Sequence, residues 1–195
     1  MKNMIRLSVL GMAIAFLFAS CSKPQQAMDE AKAAVEAAKS EGADVYAAEE
    51  LKALEDSLTT AMGEVETQSK KFFKSYGGSK DMLATVKTEA EALKALIPEK
   101  KEKAKNEALA MMEEAKAAVE EAKAFLEKAP RGKGTKADID AFTADLKGLD
   151  DSFLGIQGVI DGGDYFGALD QAKTIKEKAA SISAEIQKAI EKVKK

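Results

Sequence analysis

From Leu83 to Phe125 a small or apolar residue stands at every seventh position: Leu83, Ala90, Ile97, Ala104, Met111, Ala118 and Phe125. A seven-residue repeat holds one face of an α-helix toward a neighbour, and strands cannot use it. The series runs through Pro98, and no glycine or turn residue accompanies that proline. An internal proline removes one hydrogen bond and costs about 3 kcal/mol, usually kinking or ending a helix. The unbroken series predicts one long, kinked helix from Ser79 to Lys128 rather than two shorter ones.

The same periodicity recurs on both sides. Ala27, Met28, Ala31, Ala34, Val35 and Ala38 predict a helix from about Pro24 to Glu41, with Gly42 as its terminating glycine and Asp44 as a cap for the next helix. Leu51, Leu58, Val65 and Phe72, again at sevens, predict a second helix from about Val45 to Ser75. Tyr76-Gly77-Gly78 breaks it. Ala129-Pro130-Arg131-Gly132-Lys133-Gly134 is the clearest loop. Thr135 followed by Asp138 then has the form of a capping box. Ile139, Phe142, Leu146, Leu149, Phe153, Ile156 and Ile160 mark the next helix. Asp161-Gly162-Gly163-Asp164 turns the chain into a last helix through Ile190, ending in Glu191-Lys192-Val193-Lys194-Lys195. Much of the 46% hydrophobic content is alanine, and only 6% of residues are aromatic, so the helices must approach closely around a thin core.

Two halves echo each other. Residues Asp29 to Lys39 match Glu113 to Lys123 with two changes. Leu54-Glu55-Asp56-Ser57-Leu58 matches Leu149-Asp150-Asp151-Ser152-Phe153. Tyr76, Gly78, Asp81, Thr85, Val86, Lys87 and Ala90 match Tyr165, Gly167, Asp170, Thr174, Ile175, Lys176 and Ala179. Three echoes in one order predict an all-α, elongated antiparallel bundle of two tandem three-helix units, residues 27–97 and 98–195, sharing the long central helix.

The first twenty-one residues set the address. Lys2 and Arg6 precede an apolar run from Leu7 to Phe18, the length of a signal-peptide core and short for a bilayer span. Leu17-Phe18-Ala19-Ser20-Cys21 resembles the lipobox of bacterial lipoproteins, with Phe18 where leucine is usual. The resemblance implies removal of residues 1–20 and a lipid on Cys21, the one cysteine, which a short tether (21–26) joins to the body. Ser22 is compatible with sorting to the outer membrane, the body facing the periplasm. The opening Ala31-Lys32-Ala33-Ala34-Val35-Glu36-Ala37-Ala38-Lys39, with Gly42-Ala43-Asp44-Val45-Tyr46-Ala47 leading into Glu49-Glu50-Leu51, resembles the helical domain of unknown function in a family of envelope lipoproteins. Ala48 stands where proline is common in that pattern. This second resemblance implies a helical envelope protein and brings no known active site.

Chemistry is sparse. There is no histidine, so Ser-His and Cys-His nucleophiles lack their base, and His/Cys metal sites lack ligands. Without Lys2 and Arg6 the 30 basic residues become 28 against 33 acidic, a net charge of −5. That charge offers no footprint for nucleic acid and no overall attraction to an anionic lipid surface. Asp150-Asp151 and Asp161/Asp164 lack the ligand spacing of a calcium loop, and the latter pair reads as turn and cap. Arg131 to Thr135 lacks the full phosphate-loop pattern. The charge run Glu99 to Lys105 reads as a solvated face, and Met111-Met112 and Phe72-Phe73 as core. The expectation is a non-enzymatic, lipid-anchored envelope protein with a protein partner, no cofactor beyond the lipid and no small-molecule substrate. The alternatives are a carrier for an apolar ligand and a peptidoglycan tether through Lys195. The latter rests on likeness to the small helical lipoprotein that ends in a wall-linked lysine.

Overall fold

The computed structural model describes residues 22–130 and 135–193. Cys21, Arg131 to Gly134 and Lys195 lie outside the described residues. Within them the fold is all-helical: α1 (Gln25–Glu41), α2 (Ala43–Tyr46), α3 (Ala48–Ser69), α4 (Gly77–Glu127), α5 (Lys136–Asp161) and α6 (Tyr165–Val193). The chain divides into two units between Lys100 and Lys101, inside α4.

In the first unit α1, α3 and the first half of α4 enclose one core. Its fully buried positions include Ala31, Ala38, Ala61, Val65, Leu83, Ala90 and Ile97, each at 0% exposure. Gly42 takes the left-handed conformation expected of a terminating glycine, with φ of 111°. Its N–H donates to carbonyls in the last turn of α1. The predicted single helix from Val45 to Ser75 is corrected at both ends. Ala47 leaves the helical region (φ −154°, ψ 44°), so α2 is one separate turn. Ala43 and Ala47, four residues apart, are both buried, and the break lets the connection pack inward before α3 starts. Neither Gly42 nor Ala47 is capped by a side chain, so Asp44 is not the cap.

The far end of α3 stops at Ser69, and Phe72, the next residue of the sevenfold series, is 93% exposed. The reason is partner length. Helices α1 and α3 are antiparallel, with Lys39 paired to Glu55 near one end. Near the other end Lys23, just before α1, acts on Glu66. Beyond Ser69 the stripe has no α1 left to pack against.

Helix α4 is continuous for 51 residues with Pro98 inside it. Pro98 and Lys94 are both exposed, so the Lys94 carbonyl that loses its donor is open to water. Leu93 and Ile97, before the proline, are buried in the first core, and Ala108, after it, is buried in the second.

In the second unit the second half of α4, α5 and α6 enclose a core of their own. Its core holds Ala108, Ala115, Val119, Ala122, Leu146, Ile156, Ala168, Ala172, Ala179 and Ile186. Thr135 does not form the expected capping box. Its Oγ1 donates to the Pro130 carbonyl at 2.7 Å, and α5 starts without a side-chain cap. Asp164 does cap α6, its Oδ1 accepting from the Gly167 N–H at 2.9 Å. A Cβ on Gly167 would collide with the Asp164 carboxylate, so that cap needs glycine there.

Ion pairs between helices fall at matching places in the two units. Lys87 donates to Glu30 at 2.9 Å, and Lys176 to Glu114 at 2.6 Å. Lys39 lies 3.7 Å from Glu55, and Lys123 lies 2.7 Å from Asp150. These eight residues are the ones that the sequence echoes pair.

With separate cores, damage to one should stay local. Leu83→Ala should destabilise the first unit by about 2–5 kcal/mol, the usual range for deleting a buried leucine. Hydrogen exchange of the full chain should show lost protection over residues 25–100 and little change over 101–193. Equal loss in both units would contradict separate cores.

Candidate interaction grooves

In each unit the second and third helices leave an open groove along their seam. In the first, Glu50, Ala53, Leu54 and Ser57 of α3 face Glu89, Ala92, Leu93 and Leu96 of α4 around about 360 Å³. The α3 residues sit at i, i+3, i+4 and i+7, which is one helix face. Leu54 and Leu93 form the floor, at 5% and 6% exposure. The rim is small (Ala53, Ser57, Ala92), and small side chains cannot fill the space above that floor. Leu96 closes one end, half exposed. A second cleft of about 390 Å³ shares Ser57 and Glu89 and continues the seam past Thr60 and Met82.

The second unit has the same groove at the same place. Asp145, Gly148, Leu149 and Ser152 of α5 face Lys178, Ser181 and Ile182 of α6 around about 440 Å³. In the register of the echoes these residues stand where Glu50, Ala53, Leu54, Ser57, Glu89, Ala92 and Leu93 stand in the first. The main difference is charge: Glu89 on the first rim is Lys178 on the second. The first groove is lined almost wholly by apolar surface, the second half by polar surface. A smaller, more enclosed pocket at Pro130, Phe142 and Ile186 holds only about 20 Å³, room for one water.

The residues weighed for chemistry do not converge. Among the described residues no group of three or more His, Cys, Asp or Glu side chains is placed to hold a metal. Asp150 accepts from Lys123, Asp161 accepts from Gln157, and Asp164 caps α6. Met112 is buried in the second core and Met111 packs on it. Phe72 and Phe73 are corrected: they are not core but 93% and 85% exposed. In the run Glu99 to Lys105, Lys100 donates to Glu50 and Lys103 lies 3.9 Å from Glu107, while Ala104 is buried. The grooves themselves were not foreseen. The signal available was the small residue at Ala53, Ser57 and Ala92 and again at Gly148, Ser152 and Ser181, beside a leucine, isoleucine or phenylalanine each time. Among the described residues no helix is long and apolar enough to cross a membrane.

The chain matches no family model, no curated protein and no solved structure.

Contact tunes several charges in both units, Glu50 on the rim of the first groove among them. The Lys100 hydrogen bond holds Glu50 below the ordinary carboxylate range. Lys87, helped by Gln26, does the same to Glu30. Lys87 is in turn raised by Glu30, and Lys123 is raised by Asp150 and Glu120. A depressed carboxylate adds stability that is complete above its unfolded value and is lost as pH falls through the folded one. A raised lysine adds stability that is complete below its unfolded value and is lost as pH rises through the folded one. The thermal midpoint should therefore stay level between about pH 5 and 9, then drop below about pH 4.3 and above about pH 10.4. Exposed pairs are screened, so added salt should shrink both edges. Circular dichroism melts across pH measure this, and Glu30→Gln should soften the acid edge. An unchanged acid edge in that variant would remove the Glu30–Lys87 pair from the account.

Proposed function

We propose that this chain is a non-enzymatic, lipid-anchored protein of the bacterial cell envelope. Its body works as a structural or protein-interaction module, held by Cys21 at the outer membrane and facing the periplasm. The address comes from the lipobox resemblance, and the envelope-lipoprotein resemblance of the first unit agrees with it. We further read the two units as copies of one ancestral three-helix unit. The matched ion pairs Glu30–Lys87 and Glu114–Lys176 support that reading.

The observation that carries the interaction reading is the groove that recurs between the second and third helices of both units. An open apolar floor with small rim residues suits a partner helix, whose side chains would seat between the two helices as ridges seat in grooves. The openness of both grooves favours a partner surface over an enclosed ligand site. Their different rims, Glu50 and Glu89 against Asp145 and Lys178, would let the two units discriminate between charged segments.

Chemical crosslinking in intact cells, followed by mass spectrometry of the full-length protein, tests this. A reproducible protein neighbour is expected, with links from Lys94 and Lys178 beside the grooves. Ala92→Arg and Ser181→Arg sit at exposed positions and should leave the melt unchanged while cutting the links about tenfold, the effect of about 1.4 kcal/mol. The N-terminal peptide from the same sample should carry lipid on Cys21. A muropeptide on Lys195 instead would make the chain a wall tether, and the absence of any neighbour would remove the interaction reading.

A further inference from the structure

The two units close their second-to-third helix turn differently. In the second unit four residues separate Ile160 from Tyr165, and Gly163, with φ of 85°, makes the turn. In the first unit ten residues separate Val65 from Tyr76, the equivalent pair. The six additional residues fall where Lys70-Lys71-Phe72-Phe73-Lys74-Ser75 stands. The second unit folds without them, so the fold does not require them. Yet this segment carries two aromatic rings, three lysines and no acid.

The rings are held outward. Phe72 and Phe73 meet edge to face, with centroids 5.0 Å apart, and both are exposed. Tyr76, just after them, is buried at 2% and pins the base of the projection. Lys70 pairs with Glu66 at 2.9 Å, and among the described residues Lys71 and Lys74 have no ion-pair partner.

The projection also lies at a particular end of its unit. Helix α1 starts there, antiparallel to α3, as Lys39 against Glu55 and Lys23 against Glu66 fix. Helix α3 is in turn antiparallel to the first half of α4, with Glu50 against Lys100 and Thr60 beside Met82. Pro24 is already buried, and Gln25 and Gln26 belong to α1, so the free tether is shorter than the sequence implied. Three residues span at most about 11 Å, so Cys21 cannot stand farther than that from Pro24. The end that projects Phe72 and Phe73 is therefore the end that a lipid on Cys21 would hold at the bilayer.

We propose that the Lys70–Lys74 tip is a second membrane contact. Phe72 and Phe73 seat in the bilayer interface, while Lys71 and Lys74 meet anionic headgroup phosphates. Phenylalanine is among the apolar side chains that interfacial segments bury at the headgroup–acyl boundary, and lysines beside it are drawn to anionic lipid. The net negative charge of the chain does not prevent this, because charges beyond about 10 Å are screened and the tip is locally basic. One lipid leaves a body free to swing, whereas a second contact at the same end sets its tilt. The inference rests on the lipid-anchored reading for its geometry.

The chain has no tryptophan, so Phe73→Trp reports from this site alone. The full-length variant is purified from membranes and reconstituted on vesicles of phosphatidylcholine and phosphatidylglycerol, with and without brominated acyl chains. The new indole should lose more than about half its emission to the brominated lipid, as for a group seated about 5–10 Å below the headgroups. Lys71→Glu with Lys74→Glu should abolish most of that quenching, and Val45→Trp, exposed at the opposite end of the first unit, should show none. An unquenched indole on vesicle-bound protein would overturn the proposal and leave the anchor standing. So would a blue shift that appears without vesicles and grows with protein concentration, which would make the tip a contact between copies. The mass of the N-terminal peptide in the same preparation reports the anchor separately.

Discussion

Close approach of helices through alanine is the constraint on which both units depend. Ala31, Ala38, Ala61 and Ala90 are fully buried in the first, and Ala108, Ala115, Ala122, Ala168, Ala172 and Ala179 in the second. At these positions the backbones meet with little side chain between them. Larger residues such as Leu83, Ile97, Leu146 and Ile186 then fill the layers between the alanines. Such a seam tolerates little change in size, because overpacking forces neighbours off their rotamers. It also explains the grooves. Where small residues continue onto the outer flank, as at Ala53 and Ala92, the helices touch below and nothing fills the space above.

Much of this was legible in the sequence, and the failures have physical causes. Periodicity finds each long helix because it measures a face, and the face is what packs. It carries α4 across Pro98 for the same reason: the buried stripe on both flanks outweighs one lost hydrogen bond. Periodicity does not know how long the neighbour is. Phe72 continues the series of Leu51, Leu58 and Val65, but it lies past the end of α1 and so is exposed. Ala47 gives no local warning of a break, since alanine favours helix. The break comes from burying Ala43 and Ala47 together, a tertiary demand. Thr135 has the spacing of a capping box, yet the Pro130 carbonyl is the partner its hydroxyl finds.

The grooves were hidden for another reason. A helical pattern separates buried from exposed positions, while a groove is made by exposed positions that are too small. Only the alignment of one unit on the other marks them, because Ala53 and Gly148, or Ala92 and Ser181, are unremarkable singly. The same comparison isolates the Lys70–Lys74 segment as material beyond what the three-helix unit needs.

The alanine seam has a thermal consequence. Unfolding raises the heat capacity in proportion to the apolar area it exposes, about 12–15 cal/mol/K per residue in ordinary domains. A methyl group exposes little, and long helices already hide much of their own backbone. The increment per residue should sit below that range here, and a small increment flattens the curve of stability against temperature. Such a protein loses stability slowly on warming and on cooling alike, so the temperatures of heat and cold unfolding lie far apart even when the maximum between them is modest.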